Sequence, residues 1–398
     1  MSLRTFWFVM MLIGGGFVTT AVDADIHASE KEELYRDMIF RSSPYGTLQG
    51  RHPVTKEDIG YGQYYRFIRN NKGQVIRIER WFGKAIAKGG YSRFGAIAST
   101  ASVTFDYKDH QIIRRYWDEN NQPMVNYWGV TEEIFTLDDL GHKKTLTYKD
   151  MNGQRVADSR GVWITKWDVS QDGKTVVEDR FDKDGKSGRL NEFLDFGRIK
   201  MFFDEHGLRW ETWNIDAEGN LVNSPKRQVA ITKTFWDVSH LDEKEIAWYG
   251  ADKKLKNLSP YEKRPGVYGF SSEVYEHDSN GYTVGMIQYD SAGRIVTLPG
   301  DGSVFSRSIY DAEGFVLDSR FFNRKGKPTL NENGVARIEV IRDETGRPIQ
   351  YRFYDLMGAL TNRKNDGIAV AKFTYTEGKP SIVRLDKDSN IVTPKKQE

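Results

Sequence analysis

The sequence predicts an all-β protein made of tandem antiparallel hairpins, with about ten units of 32 to 34 residues that form one long curved or spiralling sheet. Three observations predict this fold: glycine pairs recur at a fixed period, alternating segments flank them, and the composition suits a thin sheet. The glycines of a pair lie twelve residues apart, and the pairs are Gly141/Gly153, Gly173/Gly185, Gly207/Gly219, Gly281/Gly293, Gly314/Gly326 and Gly346/Gly358.

Most of these glycines close an Asp-x-x-Gly turn. In the clearest unit, residues 334–365, apolar and polar residues alternate on both sides of the turn from Asp343 to Gly346, up to a second turn from Asp355 to Gly358. Such alternation around a turn predicts an antiparallel hairpin. The aspartate accepts a hydrogen bond from the backbone two residues on, and the glycine takes up a conformation that other residues avoid. We therefore interpret the repeated aspartates as turn formers rather than catalytic acids.

The composition indicates a shallow, aromatic core. Hydrophobic residues make up 38% of the 398 residues, whereas 20 Tyr, 22 Phe and 10 Trp supply large side chains. The units whose first turns fall at Asp109 and Leu241 lack the glycine but keep the frame, so the array would hold about 20 to 30 short strands. A β-propeller is the alternative fold, although a unit of this length is short for a four-stranded blade.

Residues 1–24 predict a signal peptide. Arg4 precedes an apolar run over residues 6–18, and Val22 and Ala24 offer small residues ahead of a cleavage site. The run is too short and too rich in glycine to span a bilayer, so we expect no transmembrane segment after cleavage. The chain has no cysteine, which favours a bacterial exported protein. The expected location is the periplasm or the cell exterior.

The rest of the chain divides into three predicted segments. Residues 25–58 would form an N-terminal helical cap and loop, in which Ser29 and Glu32 make a capping box at the start of a short helix. Residues 59–256 would form a Trp-rich repeat segment and residues 257–398 a Trp-free repeat segment, because tryptophan is absent from the second.

The turn motif resembles the tyrosine-aspartate (YD) repeat of bacterial Rhs proteins and teneurins, in which Tyr-Asp-x-x-Gly precedes a basic and an aliphatic residue. Residues 289–295 read Tyr-Asp-Ser-Ala-Gly-Arg-Ile, and similar motifs occur at residues 310–314, 354–358, 203–207 and 181–185. The resemblance covers most of residues 60–398 and implies a spiralling β strip that contacts partners, with carbohydrate as a proposed ligand. The Asp-Pro boundary of an Rhs toxin domain is missing, so the resemblance implies no toxin function here.

Charge and motifs exclude several classes of function. A formal charge of +2, from 58 basic and 56 acidic residues, gives no overall attraction to nucleic acid, so we expect no nucleic-acid partner. No phosphate loop, dinucleotide fingerprint, nucleophile elbow or His-Glu-x-x-His motif occurs. Residues 386–390 alternate oxygen ligands but lack the glycine and distal glutamate of a calcium loop. We expect no cofactor and no resident metal ion.

Two groups of charged or titratable residues recur at fixed positions in the frame. Five histidines lie near first turns and would line one edge of the sheet as an acid–base or metal-binding row, although exposed turns also accept histidine without function; they are His110, His142, His206, His240 and His277. Four arginines lie six residues before a second turn and would bind either an anionic polymer or cross-strand acids such as Glu339; they are Arg115, Arg320, Arg352 and Arg384.

Four tryptophans are candidates for stacking on sugars. The even spacing of Trp163 and Trp167 predicts that both rings lie on one face of a strand. The odd spacing of Trp210 and Trp213 predicts that they lie on opposite faces unless a bulge intervenes.

We therefore expect an exported bacterial β-repeat scaffold that binds a cell-envelope or extracellular partner, with a glycan as the expected ligand, through the polar face or an edge of its sheet. One alternative is a polysaccharide-acting enzyme with acids and histidines in a groove. Another is a structural spacer whose edges pair with other chains. The sequence does not decide whether the protein is an enzyme.

Overall fold

The structure is a computed structural model that describes residues 30–39, 43–59, 62–87, 99–187, 197–258, 269–296, 305–311, 316–343, 348–376 and 379–393. Within these ranges the chain is all-β, with 24 strands and no helix. The strands are β1 Lys31–Ile39, β2 Gln49–Pro53, β3 Gln63–Arg69, β4 Val75–Phe82, β5 Ala85–Ile86, β6 Ser102–Lys108, β7 Gln111–Trp117, β8 Glu132–Leu137, β9 Lys143–Lys149, β10 Arg155–Val156, β11 Ile164–Val169, β12 Thr175–Phe181, β13 Arg198–Phe203, β14 Arg209–Asn214, β15 Ile231–Trp236, β16 Glu243–Tyr249, β17 Ser272–His277, β18 Thr283–Tyr289, β19 Phe305–Tyr310, β20 Val316–Phe322, β21 Arg337–Arg342, β22 Pro348–Tyr354, β23 Val370–Thr376 and β24 Lys379–Leu385.

All strands belong to one antiparallel sheet. Long strands pair with their neighbours along the chain from β6 onward, and the short β5 and β10 pair back onto β4 and β9. At the start β1 lies between β2 and β3. The sheet is open, with β2 at one edge and β24 at the other. The hairpin-repeat prediction is confirmed, and the propeller alternative is wrong because the strands form one continuous sheet rather than separate blades.

The Asp-x-x-Gly segments are turns of the predicted kind. The Asp138 carboxylate accepts hydrogen bonds from the backbone N–H of Leu140 at 3.0 Å and of His142 at 2.8 Å. Gly141 donates to the Asp138 carbonyl at 3.0 Å and has a φ of 84°, in the left-handed region that favours glycine. These bonds hold the pKa of Asp138 below its usual value, against burial, which raises it. These hydrogen bonds explain why aspartate recurs at this position of the turn without requiring a catalytic role.

The first hairpin of most units also contains a β-bulge, which the sequence did not show. The register shifts by one residue beside the turn, so that one residue of the second strand has no opposite partner. A type I turn followed by a left-handed residue produces this bulge. The shifts lie between Ile68/Arg69, Thr136/Leu137, Phe202/Phe203, Phe235/Trp236, Glu276/His277, Ile309/Tyr310 and Ile341/Arg342.

Two further details of the frame differ from expectation. Several units contain a third turn of the same chemistry, seen where Asn126 accepts from Trp128 N and where Gly129 has a φ of 79°. In the unit assigned to Leu241, the glycine position is instead occupied by His240, with a φ of 57° and an N–H that donates to the Asp237 carbonyl. The assignment to Leu241 is therefore wrong by one residue, because no glycine marks the turn.

The N-terminal segment is a strand rather than the expected helix. Residues 31–39 pair with β3 from Lys31 to Tyr35 and with β2 from Tyr35 to Ile39. The free edge of β3 offers a row of backbone hydrogen bonds that a local helix would leave unpaired, and this tertiary pairing outweighs the weak helical pattern. The predicted capping residue Ser29 and the predicted signal peptide lie outside the described residues.

The core lies on one face of the sheet, which curls around residues 43–53. Tyr45 packs against Trp167 and Phe203, with ring centroids 5.7 Å away in each case. We call the face that carries Trp167 and Phe203 the inner face, and the opposite one the outer face. Near the proposed boundary at residue 257, β16 pairs with β17, so the sheet is continuous there; the division into Trp-rich and Trp-free segments stays a prediction.

Candidate functional site

Trp163, which precedes β11, and Trp167, within it, do not form an exposed platform. Trp167 is 5% exposed, its indole N–H donates to Glu178 at 2.8 Å, and its ring stacks 6.2 Å from that of Phe135. It is a core residue. Trp163 is half-buried beneath the guanidinium of Arg155, which lies 4.6 Å from its ring.

The tryptophans of β14 are brought together by the bulge. Phe202 lies opposite Glu211 and Phe203 opposite Arg209, so Trp210 is the extra residue. Both indoles consequently contact Phe202, with ring centroids 5.9 Å away for Trp210 and 4.8 Å for Trp213. Trp210 is 40% exposed. Both rings thus lie against Phe202 on the outer face, an arrangement that the sequence allows only with a bulge.

Two lysines complete this cluster. Lys200 Nζ lies 5.4 Å from the ring of Phe202 and 5.7 Å from that of Trp213, and Lys253 Nζ lies 5.5 Å from Trp213. Neither ammonium forms an ion pair with a carboxylate of the described residues. We call Lys200, Phe202, Trp210, Trp213 and Lys253 the Trp–Lys patch. It combines flat apolar surface with two available positive charges.

Other aromatic residues of the outer face also lie beneath cations. The pairs are Arg66 with Trp81 at 5.8 Å, Lys166 with Phe181 at 5.0 Å, Lys233 with Tyr249 at 5.4 Å, Arg307 with Phe322 at 5.8 Å and Arg337 with Tyr354 at 5.0 Å. Several of these cations have acidic partners as well, as Arg307 has in Glu276 at 3.0 Å and Lys233 in Glu211 at 3.4 Å. Lys166 and the two lysines of the Trp–Lys patch form no such ion pair with the described residues, and the patch combines two of these lysines with three aromatic rings.

The predicted arginine row is neutralised by acids. Arg352 lies opposite Glu339 and contacts it at 3.5 Å, and Arg320 contacts Asp318 at 2.9 Å. Arg115 contacts Asp106 and Glu132 at 2.5 and 2.7 Å. These contacts are ion pairs of the kind given as the alternative, across strands for Arg352 and Arg115 and within β20 for Arg320; binding of an anionic polymer stays a prediction.

Arg384 does not belong to that row. Arg352 pairs with Val370 and Val370 with Leu385, so the neighbouring Arg384, which pairs with Ala371, points to the opposite face. The cause is the turn, where Ser389 with a φ of 70° occupies the glycine position, one residue earlier than assumed.

The histidines lie along the first turns, and only some of them meet. The rings of His206 and His240 are 4.2 Å apart, and His240 lies 4.0 Å from Asp204. His142 contacts Asp138 at 3.4 Å and lies beside Gly173 of the next unit. At the two-residue turn after β6, His110 has a φ of 53°, and its carbonyl accepts from Leu137 N.

His277 lies near a polar cluster that the sequence did not predict. Burial lowers the pKa of His277, Asp242 raises it, and Arg51 and His52 lower it. His52 Nε2 lies 2.9 Å from Asp242 Oδ1, and Arg51 lies 3.4 Å from the same oxygen. Arg51 and His52 belong to β2 and line a cleft of about 340 Å³ together with Gly281. The sequence does not mark them, because residues 25–58 predict a helical cap and loop rather than a strand.

The described part of the chain contains no group of three or more His, Asp or Glu residues arranged to hold a metal ion. Nor do those residues include a helix with the length and apolarity needed to cross a bilayer.

Comparisons with known proteins yield only distant structural similarity. No protein family matches the chain, and no curated protein does either. A porin-like protein from Bacteroides uniformis is 11% identical, with a TM-score of 0.20 over 89% of this chain and 94% of that one. The TcdB2–TccC3–Cdc42 structure is 11% identical, with a TM-score of 0.25 over 91% of this chain but 25% of that one. The TcdB2–TccC3–TEV structure is 10% identical, with a TM-score of 0.19 over 87% of this chain and 21% of that one. Similarity at this level carries no argument about function.

Proposed function

We propose that this protein is an exported bacterial scaffold of the YD-repeat type that binds an acidic glycan on the Trp–Lys patch. The observation that carries the proposal is the bulge at Trp210, which adds an exposed indole to Trp213 and Phe202 between two lysines without acidic partners. The tandem Tyr-Asp-x-x-Gly turns and the long open sheet support the YD-repeat assignment. Export rests on the predicted signal peptide.

The chemistry of the patch suits a sugar that carries a carboxylate, sulfate or phosphate. An indole offers a rigid flat surface of low conformational entropy, on which the C–H face of a pyranose ring can lie. Lys200 and Lys253 would then pair with the acidic group, and desolvation by the rings would strengthen that pairing. Because the ion pairs lie at the surface, affinity should fall as salt rises.

The test is an array of uronate-containing and neutral oligosaccharides, followed by calorimetry on the oligosaccharides that bind. We expect binding of uronate oligosaccharides, with at least a tenfold loss of affinity for Trp210→Ala and for Lys200→Met. Phe305→Ala is the matched control, because Phe305 also lies beneath a cation, Arg307, but that cation is paired with Glu276. Affinity should be unchanged in this control.

Three results would count against the proposal. Failure to bind any oligosaccharide would favour the spacer alternative. Equal losses for Trp210→Ala and Phe305→Ala would show that the patch is not the site. Shortening of a bound oligosaccharide during incubation, followed by mass spectrometry, would instead support the enzyme alternative.

A further inference from the structure

A second candidate site lies inside the curl of the sheet. A cavity of about 350 Å³ separates residues 46–49 from the inner face of β6 to β9. Leu48, Phe105 and Phe135 supply apolar walls, and Arg114 and Lys143 supply positive charge. The volume falls within the range of small-molecule sites, and apolar walls with few polar groups are typical of them.

Lys143 is half-buried, and its ammonium faces the interior without an acidic ion-pair partner. Its Nζ donates to the carbonyls of Pro44 at 3.0 Å and Tyr45 at 2.8 Å and lies 4.7 Å from the ring of Phe135. No carboxylate of the described residues forms an ion pair with it. Burial, and secondarily the charge of Arg114, lower the pKa of Lys143 to about 7. A buried ammonium held only by neutral carbonyls is costly, and an entering anion would relieve that cost.

Arg114 supplies a second, paired cation to the lining of the same cavity. The residue is 7% exposed, and its guanidinium forms an ion pair with Glu133 through one terminal nitrogen. Its Nε is buried and has no hydrogen-bond partner. Because Arg114 pairs with Glu133 and Arg69 with Glu33, the protonated form of Lys143 leaves the cavity with one net positive charge.

We propose that this cavity binds a small amphipathic carboxylate, whose carboxylate accepts a hydrogen bond from Lys143 Nζ and lies near the Arg114 side chain, and whose hydrocarbon part lies against Leu48, Phe105 and Phe135. At roughly 30 Å³ for each water-sized group, the cavity holds about 12 heavy atoms. A ten-carbon fatty acid has that size. This site is separate from the Trp–Lys patch, so either proposal can fail without the other.

The test uses the full chain with decanoate as probe and decanol as its uncharged analogue of equal length. We expect one decanoate per chain by calorimetry at pH 7, with decanol bound at least tenfold more weakly, and a rise in melting temperature with decanoate. Lys143→Met should lower decanoate affinity at least tenfold. Lys166→Met is the control, because Lys166 also lies above an aromatic ring, Phe181, but on the outer face.

A second variant keeps the test decisive if Lys143→Met fails to fold. Leu48→Trp fills the cavity from the N-terminal segment without changing any charge, and it should also abolish decanoate binding. Equal affinity for decanoate and decanol would overturn the proposal. So would undiminished decanoate binding in Leu48→Trp or in folded Lys143→Met.

Discussion

Replacing Glu178 with glutamine should destabilise the protein more than any exchange on the outer face. Glu178 is 0% exposed, and its carboxylate accepts from the Ser43 hydroxyl and from the Trp167 indole at 2.8 Å and forms an ion pair with Arg180. Arg180 is itself 3% exposed. The carboxylate therefore joins the N-terminal segment to the inner face and neutralises a buried cation.

The expected loss of stability follows from the interactions that remain after the exchange. The glutamine oxygen can still accept from Ser43 and Trp167, but Arg180 loses its counter-charge in the core. Removing one partner of a buried ion pair costs about 3–5 kcal/mol. We expect about 3 kcal/mol for Glu178→Gln, because the amide oxygen retains part of the hydrogen bonding. That is a large share of the roughly 5–15 kcal/mol of total stability typical of folded proteins.

The assay is equilibrium unfolding in urea, followed by tryptophan fluorescence. Glu276→Gln serves as the control, because its pair with Arg307 at 3.0 Å is at the surface and should contribute about 0–1 kcal/mol. The double variant Glu178→Gln/Arg180→Met should recover much of the loss, since it removes the unpaired cation as well. A loss below about 1 kcal/mol for Glu178→Gln would refute the reasoning, as would a double variant no more stable than the single one.

Three further predictions concern turns and titration. Gly358→Ala should lower the free energy of unfolding in urea by about 1–2 kcal/mol, because the site has open space but a φ of 80°, which a Cβ atom disfavours. Ser389→Gly should raise it by up to about 1 kcal/mol, because Ser389 has a φ of 70° that glycine adopts without strain. Asp150→Asn should be nearly neutral in thermal unfolding and Asp150→Ala destabilising by about 1 kcal/mol, because the amide oxygen can replace the carboxylate as acceptor for Asn152 and Gln154 N–H. The pKa of Lys143 is about 7 in the folded protein and 10.5 ordinarily, so the unfolded chain binds more protons between these pH values. The free energy of unfolding should therefore rise with pH across that window. Lys143→Met should flatten this rise, as measured by urea titrations at several pH values.

The repeat frame was predictable because its chemistry is local. An aspartate and a left-handed glycine within four residues determine a turn, so the hairpins followed from the sequence alone. The same frame predicts cross-strand acids such as Glu339 for the arginine row, and in the structure Glu339 lies opposite Arg352. Where another residue replaces the glycine, as at His240 and Ser389, the predicted frame is wrong by one residue, and so is the predicted face of Arg384.

Features that depend on distant partners could not be predicted. The strand at Lys31–Ile39 exists because β3 has a free edge, and no residue within the strand indicates this. Lys143 occupies an ordinary polar position in its hairpin, and its burial depends on a segment about a hundred residues earlier, 99 for Pro44 and 98 for Tyr45. The position of Trp210 in the Trp–Lys patch depends on a bulge, which the alternation of apolar and polar residues does not predict.

The path of residues 43–53 through the curled sheet changes how the array should fold. Repeat proteins usually contact only adjacent units and can therefore fold one unit at a time. Here Ser43 bonds Glu178 across 135 residues, Gln49 reaches the carbonyl of His206 across 157, and Arg51 reaches that of Leu241 across 190. Residues 43–53 are synthesised early, but their partners are synthesised much later. These long sequence separations raise the contact order and slow folding. The same contacts couple units that would otherwise unfold independently, so we expect the array to unfold cooperatively.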